Sequence, residues 1–224
     1  PEWSPDGESI VFVRVTGRGR LGSDFGNMDI KAGDWFLGDA GDIATLPYNG
    51  GNFGPATTIV ASTAGSEFHF YPTFSPDSAW ILFNSASTPG CASDSAAAKT
   101  GFNLRLVKCV SYDQTAARLR LVRAKADQKP IELARAMHLP GKTTAWPKFA
   151  PFQQGRLVFF TFSAKFDYGF VIKQDVVKAE EDSYRPQLWM SGIDLGKAEG
   201  AAATGEDPSY PPFWLPFQDP ETNN

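Results

Sequence analysis

A glycine-rich stretch near the start of the chain has the spacing of a dinucleotide-binding loop. Residues 17–22 read Gly-Arg-Gly-Arg-Leu-Gly and follow a run of strand type, Ile10-Val11-Phe12-Val13. In such a nucleotide site a helix must come next, because its N-terminus binds the phosphates. Residues 23–27 read Ser-Asp-Phe-Gly-Asn, which predicts a loop. We therefore interpret the stretch as an inserted loop and expect no cofactor.

Carboxylates are crowded in the same region of the chain. The aspartates there are Asp24, Asp29, Asp34, Asp39 and Asp42. Carboxylate oxygens in loops are ligands that Ca²⁺ prefers, but the residue spacing of an EF-hand is absent. The pattern favours a solvated acidic loop, with a calcium site as the alternative.

Neither histidine occurs in a pattern that predicts catalysis. His69 lies between Phe68 and Phe70, His138 precedes Leu139-Pro140, and no Gly-x-Ser-x-Gly sequence is present. A serine-hydrolase triad needs a positioned histidine and a nucleophile on a sharp turn. We therefore assign no catalytic residue and expect that this chain is not itself an enzyme.

The two cysteines, Cys91 and Cys109, leave two readings open. They form one disulfide in an oxidising compartment, or they are unpaired small apolar residues. Two cysteines alone do not make a four-ligand zinc site, and neither histidine has metal-site spacing with them. The sequence predicts no metal ligand among these four residues.

The bulk composition excludes several partner classes. The 224 residues carry a net charge of −4, with a pI of about 5.2, and no apolar run approaches the length of a membrane span. Nucleic-acid and anionic-membrane surfaces usually require basic patches, so we expect neither partner and no membrane span. The chain begins with Pro1 and has no signal-like segment, which we interpret as a processed form or part of a longer protein.

A short pattern, Pro-x-Phe/Trp-x-Pro, recurs along the whole chain. Its four copies are Pro1–Pro5, Pro72–Pro76, Pro147–Pro151 and Pro212–Pro216. The copies contain Trp3, Phe74, Phe149 and Trp214, and their second prolines are Pro5, Pro76, Pro151 and Pro216. In the first two copies Asp6 and Asp77 follow, which predicts a tight turn. The aromatic residues are expected to pack between neighbouring units.

Strand patterns complete each repeat. Apolar runs follow the turns at Ile10–Val13, Ile81–Phe83 and Leu157–Phe160, the third after a turn that is one residue longer. A second strand pair is indicated later in each unit, although its last member in the third unit, over residues 198–205, is weak. We place the units at about 1–70, 71–145 and 146–210, with a next unit beginning near 211.

Four strands per repeat are typical of a β-propeller blade. A usual blade takes roughly 40–45 residues, so these units must carry insertions, which we place at 17–41, 87–117 and 164–185. The predicted fold is all-β: about three four-stranded blades and the start of a fourth, in one segment over 1–224. Propellers close with roughly 4–8 blades. We therefore expect missing blades of the same parent chain, or closure by another chain.

The sequence Trp3-Ser4-Pro5-Asp6-Gly7, followed by Ile10 and Phe12, resembles the repeat of TolB-like (WD-repeat-like) bacterial β-propeller proteins. The copy that starts at Phe74 is close to it, and the last two copies keep only the prolines and the aromatic residue. The resemblance implies a propeller fold and a periplasmic or extracellular location in the bacterial envelope. Proteins of this type include periplasmic scaffolds and substrate-gating domains of serine peptidases, and the repeat carries no catalytic residues.

Aromatic side chains in the insertions are the predicted partner-binding site. They are Trp35, Phe36, Phe166, Tyr168 and Phe170. Exposed aromatic residues on loops often mark protein interfaces. We expect a non-catalytic scaffold that binds a protein partner through these loops. The alternatives are the propeller domain of a larger peptidase or hydrolase, and a calcium- or glycan-binding propeller.

Overall fold

The fold consists of three antiparallel sheets that follow one another along the chain. The computed structural model describes residues 1–16, 40–63, 67–87, 111, 115–137, 142–167 and 186–218. In the second and third sheets each strand pairs with the next one along the chain, and in the first sheet the third strand pairs with both the fourth and the fifth. The predicted all-β class and the four-strand repeat are thus confirmed.

The first sheet contains the strands β1 (Glu2–Trp3), β2 (Ser9–Thr16), β3 (Ala40–Asn49) and β5 (Thr57–Val60). A short additional strand, β4 (Asn52–Phe53), pairs with the end of β3. The turn between β3 and β4 contains Gly50 and Gly51, which have φ values of 55° and 103°. Glycine tolerates this left-handed region, so a tight hairpin forms here.

The second sheet contains β6 (Glu67–Phe74), β7 (Trp80–Ser87), β8 (Arg118–Arg123) and β9 (Ile131–Glu132). A short 3-10 helix, Ala134–Met137, follows. His69 therefore lies on the first strand of this sheet.

The third sheet contains β10 (Thr144–Gln154), β11 (Leu157–Ala164), β12 (Gln187–Asp194) and β13 (Phe213–Trp214), and a helix, α1 (Leu195–Thr204), lies between the last two. The helix corrects the weak strand predicted over 198–205. Asp194 caps its N-terminus by accepting hydrogen bonds from Gly196 N (2.9 Å) and Lys197 N (3.2 Å). Gly205 ends it with a φ of 71°.

The fourth copy of the repeat has a different role from the one that its sequence predicts. Trp214 pairs with Trp189, and Phe213 with Met190, so residues 213–214 are the last strand of the third sheet. The expected start of a fourth unit near 211 is therefore wrong. The prolines and aromatic residue recur there without the Ser-Pro-Asp turn of the first two copies.

That turn is built identically in the first two sheets. Ser75 Oγ donates to Asp77 Oδ1 (2.5 Å) and accepts from Trp80 N (2.9 Å), while Ala79 N donates to Asp77 Oδ1 (3.1 Å). Ser4 and Asp6 make the same bonds with Ser9 N (2.9 Å) and Glu8 N (2.9 Å). The predicted turn-forming role of the Ser-Pro-Asp sequence is thus explained by hydrogen bonds that close the hairpin.

The third hairpin is built differently. Phe149 pairs with Phe160, whereas Phe74 pairs with Ile81, so the connection is longer than the single extra residue predicted. The strands continue past Pro151, with a bulge between Phe149 and Gln153, and turn at Gly155, whose φ is 61°. Pro151 is therefore in a strand and not in a turn.

The three sheets stack face to face, and both contacts between them join the same two opposite kinds of face. We call the face of each sheet that bears the first-strand aromatic residue (Trp3, Phe74 or Phe149) its front face, and the opposite face its back face. The back face of the first sheet packs on the front face of the second in a core formed by Val11, Ile43, Ile59, Val60, Phe74, Ile81, Phe83 and Val122. Between the second and third sheets, a larger core includes Trp80, Leu82, Leu119, Leu121, Phe149, Val158, Phe160 and Phe162.

Polar contacts connect equivalent positions of the three sheets. Glu2 accepts hydrogen bonds from Thr73 Oγ1 (3.0 Å) and Lys148 Nζ (2.5 Å), and these three residues directly precede the first-strand aromatic residues. Asp6 N also donates to Ser78 Oγ (3.2 Å), which connects the first two Ser-Pro-Asp turns. The first strands of all three sheets therefore converge with the same orientation.

Candidate interaction surface

The front face of the first sheet carries a cluster of aromatic side chains. Trp3 and Phe53 are 48% and 52% exposed. The Trp3 ring lies edge-on to Tyr48, with centroids 5.3 Å apart, and Tyr48 is 5.1 Å from Phe53. Ile10 and Leu46, which pair in line with Trp3, are half-buried on the same face. We call Trp3, Ile10, Phe12, Leu46, Tyr48 and Phe53 the front patch.

Trp3 is half-exposed within the described residues, although its place in the repeat predicts packing between neighbouring units. Its equivalents Phe74 and Phe149 are only 4% and 6% exposed, because the back face of another sheet covers each of them. Within the described residues, no sheet covers the front face of the first sheet. An aromatic residue at the same position of the repeat is therefore buried or exposed according to the sheet that faces it.

A second apolar surface lies on the back face of the third sheet. It consists of Leu157, Phe159, Leu188, Met190, Tyr210 and Phe213, which we call the back patch. Phe213 and Tyr210 are 48% and 41% exposed, and the other four are partly exposed. A Cβ atom added to Gly192 would lie 3.2 Å from Leu157 and 3.4 Å from Tyr210, so glycine allows these side chains to meet over the sheet.

Of the five predicted loop aromatic residues, the structure describes only Phe166, and this residue is not exposed. Phe166 is 1% exposed and packs against Phe162 and Trp189, with ring centroids 5.9 Å and 5.1 Å away. It is a core residue because the chain after β11 folds over the apolar front face of the third sheet. Trp35, Phe36, Tyr168 and Phe170 lie outside the described residues, as do Cys91, Cys109 and His138.

Sequence reasoning missed the partners of Trp3 in the front patch. Tyr48 and Phe53 flank the sequence Asn49-Gly50-Gly51-Asn52, which is a strong hairpin signal. A hairpin would have placed these two aromatic side chains close together, but it would not have shown that they extend a sheet face. Three other large rings are exposed among the described residues: Trp146, Phe152 and Phe217.

Asp42, the one described aspartate of the acidic cluster, is engaged in structural contacts. It accepts hydrogen bonds from Ser62 N (2.9 Å), Ser62 Oγ (2.7 Å) and Arg14 (2.9 Å). Burial alone would raise its pKa, but the Ser62 and Arg14 contacts lower the pKa below its ordinary value. Among the described residues, no group of histidine, cysteine and acidic side chains could hold a metal ion.

His69 is buried where the first sheet meets the second. Its ring lies edge-on to Phe83 at 5.2 Å, and its Nε2 is 3.5 Å from the carbonyl oxygen of Ala61. Burial lowers the pKa of His69, and nearby Glu67 opposes that shift only in part. Ser85 is its partner in the strand register, but the Nδ1 of His69 makes no hydrogen bond to any described residue, so this geometry is that of a neutral core histidine.

Comparison with known proteins adds no relative: no family model and no curated protein matches the chain. In the parts of the chain that the structure describes, none of the helices has the length and apolar character needed to cross a membrane. The interpretation of function therefore rests on the surfaces described above.

Proposed function

We propose that this chain is a segment of a TolB-like β-propeller that acts as a non-catalytic scaffold and binds a protein partner in the bacterial cell envelope. The observation that carries the proposal is the repeated stacking of four-stranded sheets, front face on back face, with their first strands joined at Glu2, Thr73 and Lys148. Blades of a propeller are arranged in this way around an axis.

The two ends of the stack differ in what they present. The Ser-Pro-Asp turns lie at one end, where Asp6 meets Ser78. At the opposite end the second strand of each sheet leads to the third through residues 17–39, 88–117 and 165–186. Long connections at one end of a scaffold are often the binding face of repeat proteins. We therefore assign partner binding to this second end, which we call the connection end.

A capture experiment with matched variants tests this assignment. Residues 20–36 and 92–106 are replaced, one at a time, by short Gly-Ser linkers, and each purified chain is immobilised and exposed to bacterial envelope extract. We expect both replacements to lose a protein that the unmodified chain captures. The control Phe152→Ser, which changes an exposed aromatic residue in the third hairpin, should retain that protein. Capture of the same proteins by all variants would contradict the proposal.

A further inference from the structure

The strands β6 and β10 contain the same bulge, and in each a large aromatic residue occupies its strained position. In each strand two residues, 71–72 and 146–147, lie opposite a single residue of the partner strand. Tyr71 and Trp146 come first in these bulges and have φ values of 50° and 52°. Glycine is the usual residue in the left-handed region of a bulge, whereas a bulky side chain there is an outlier. Two successive sheets thus keep a strained aromatic residue at the same place.

The two bulges bring these aromatic side chains together. Tyr71 and Trp146, which we call the aromatic corner, have ring centroids 5.6 Å apart and ring planes at 86° to each other. They lie on the inner edge of the stack, which we define as the edge formed by the first strands β1, β6 and β10. Bulges often re-aim a side chain at a functional site, and strained residues are concentrated in ligand clamps. The repeated strain therefore points to a binding role for the corner.

The aromatic corner stays accessible where the sheets are fully stacked. Tyr71 belongs to the second sheet, which is packed on both faces, and is nevertheless only half-buried. Trp146 is 46% exposed. The strands β6 and β10 are edge strands of their sheets, and face-to-face stacking leaves such edges uncovered. The exposure of Tyr71 therefore does not depend on what covers the outer faces of the first and third sheets.

The polar groups beside the corner favour a neutral ligand. Thr73 and Lys148 follow the two corner residues by two positions and donate to the Glu2 carboxylate, at 3.0 Å and 2.5 Å. Because Glu2 and Lys148 form an ion pair, they favour neither a cation nor an anion. The lysine side chain is 60% exposed, and both charged groups have further hydrogen-bonding capacity for hydroxyl groups. Aromatic walls with a few polar groups are typical of small-molecule sites.

The backbone of the inner edge is poorly suited to an added peptide strand. Strand addition needs a regular row of N–H and C=O groups along the edge. The bulges interrupt this row in β6 and in β10, and Pro72 and Pro147 then follow without an N–H to donate. A ligand at the corner must therefore be held by side chains, through ring stacking and hydrogen bonds.

We infer that the aromatic corner binds a neutral sugar, with a pyranose ring stacked on Trp146 and flanked by Tyr71. A pyranose ring has an apolar C–H face and a rim of hydroxyl groups. The face matches an aromatic ring, and the hydroxyl groups match the donors and acceptors of Lys148 and Glu2. This inference does not depend on a protein partner at the connection end.

Isothermal titration calorimetry of the purified protein with two neutral oligosaccharides, chitotetraose and maltotetraose, tests the inference. We expect at least one of them to bind. Tyr71→Gly and Trp146→Gly should each raise its dissociation constant about tenfold or more, because a stacked ring is lost. Glycine fits the left-handed position, so both variants should keep the bulge. The control Trp3→Ala removes a ring of nearly equal exposure, 48%, from the front patch and should leave the affinity unchanged.

Two further variants separate sugar binding from a purely structural role. Trp146→Phe keeps an aromatic ring and should recover most of the affinity that Trp146→Gly loses. Lys148→Met leaves the corner intact and should raise the dissociation constant about threefold or more, through the loss of a hydrogen bond to the sugar. Circular dichroism establishes that each variant keeps its sheets, and Lys148→Met decides the matter if the glycine variants do not.

Three outcomes would overturn the inference. The first is that neither oligosaccharide binds to the unmodified protein. The second is that a sugar binds with the same affinity to the folded corner variants, or to Lys148→Met where those variants lose their sheets. The third is that tetraproline, titrated as a peptide comparison, binds in place of both sugars.

Discussion

The second sheet and the first sheet differ in how many of their faces are covered. The second sheet is packed on both sides, and every residue of its strand β7 except Ser87 is buried. Among the described residues the first sheet is packed on its back only, and Ile10 and Phe12 of the corresponding strand β2 stay half-buried. The two sheets share the same turn and strand order. The extent of burial therefore depends on which sheets pack against them and not on the repeat sequence.

The largest difference between the two sheets should appear when their equivalent aromatic residues are removed. Phe74→Ala should lower the free energy of unfolding by about 3–5 kcal/mol, because it leaves a cavity in a closed core. Trp3→Ala should cost about 1 kcal/mol, since Trp3 is already 48% exposed. Urea denaturation followed by circular dichroism measures both values. Equal losses would show that the front face of the first sheet is covered.

The Ser-Pro-Asp turns offer a sharper comparison, because their hydrogen bonds are the same. Ser75→Ala should cost about 2 kcal/mol, since it leaves the buried Trp80 N–H without its serine partner. Ser4→Ala should cost about 1 kcal/mol, because the equivalent hydrogen bond from Ser9 N is only partly buried. Urea denaturation of the two variants gives the difference. A larger loss of unfolding free energy for Ser4→Ala than for Ser75→Ala would contradict the expectation that the second sheet, which is covered on both faces, depends more on its turn.

The interface between the first two sheets should respond to acid through His69. Because burial lowers its pKa below 6.5, the unfolded chain binds a proton at a higher pH than the folded chain does. Stability is therefore fully present above pH 6.5 and is lost as the pH falls from 6.5 towards the folded pKa, by up to about 1.4 kcal/mol per pH unit. The lowered pKa of Asp42 acts only below its ordinary value of 3.8, so the two effects separate.

The variant His69→Gln isolates this contribution. It should be less stable at neutral pH, since the ring contact with Phe83 is lost, but its stability should change little between pH 6.5 and pH 4.5. Urea denaturation at several pH values in this range gives the two slopes. Parallel slopes for the variant and the unmodified chain would show that another group is responsible.

Local sequence was sufficient to predict the four-strand repeat and the first two hairpin turns. Pro5 with Asp6, and Pro76 with Asp77, restrict the backbone so strongly that the hairpins follow from a few residues. The helix α1 was missed although its signals are present: Asp194 is a good N-cap, Gly205 a good C-terminal stop, and the residues between them are rich in alanine. The four-strand pattern of the repeat instead predicted a strand over residues 198–205.

The candidate surface was harder to predict because exposure depends on contacts between distant parts of the chain. Trp3 and Phe74 have the same local pattern, yet in the described part of the chain only Phe74 has a sheet in front of it. Phe166 has the opposite outcome: its place after the last residue of β11 suggested a loop, but the front face of the third sheet offered an apolar site for its ring. Local patterns do not determine which faces meet.

The smallest expected effect concerns the polar contact that joins the first sheet to the third. Lys148 and Glu2 form an ion pair in which the lysine side chain is 60% exposed. Exposed pairs contribute roughly 0.2–1 kcal/mol, and salt screens them. A double-mutant cycle with Glu2→Gln and Lys148→Met should therefore give a coupling of about 0.5 kcal/mol that falls in high salt. A coupling above about 2 kcal/mol would show that polar contacts between first strands, rather than the covered apolar faces, hold the stack together.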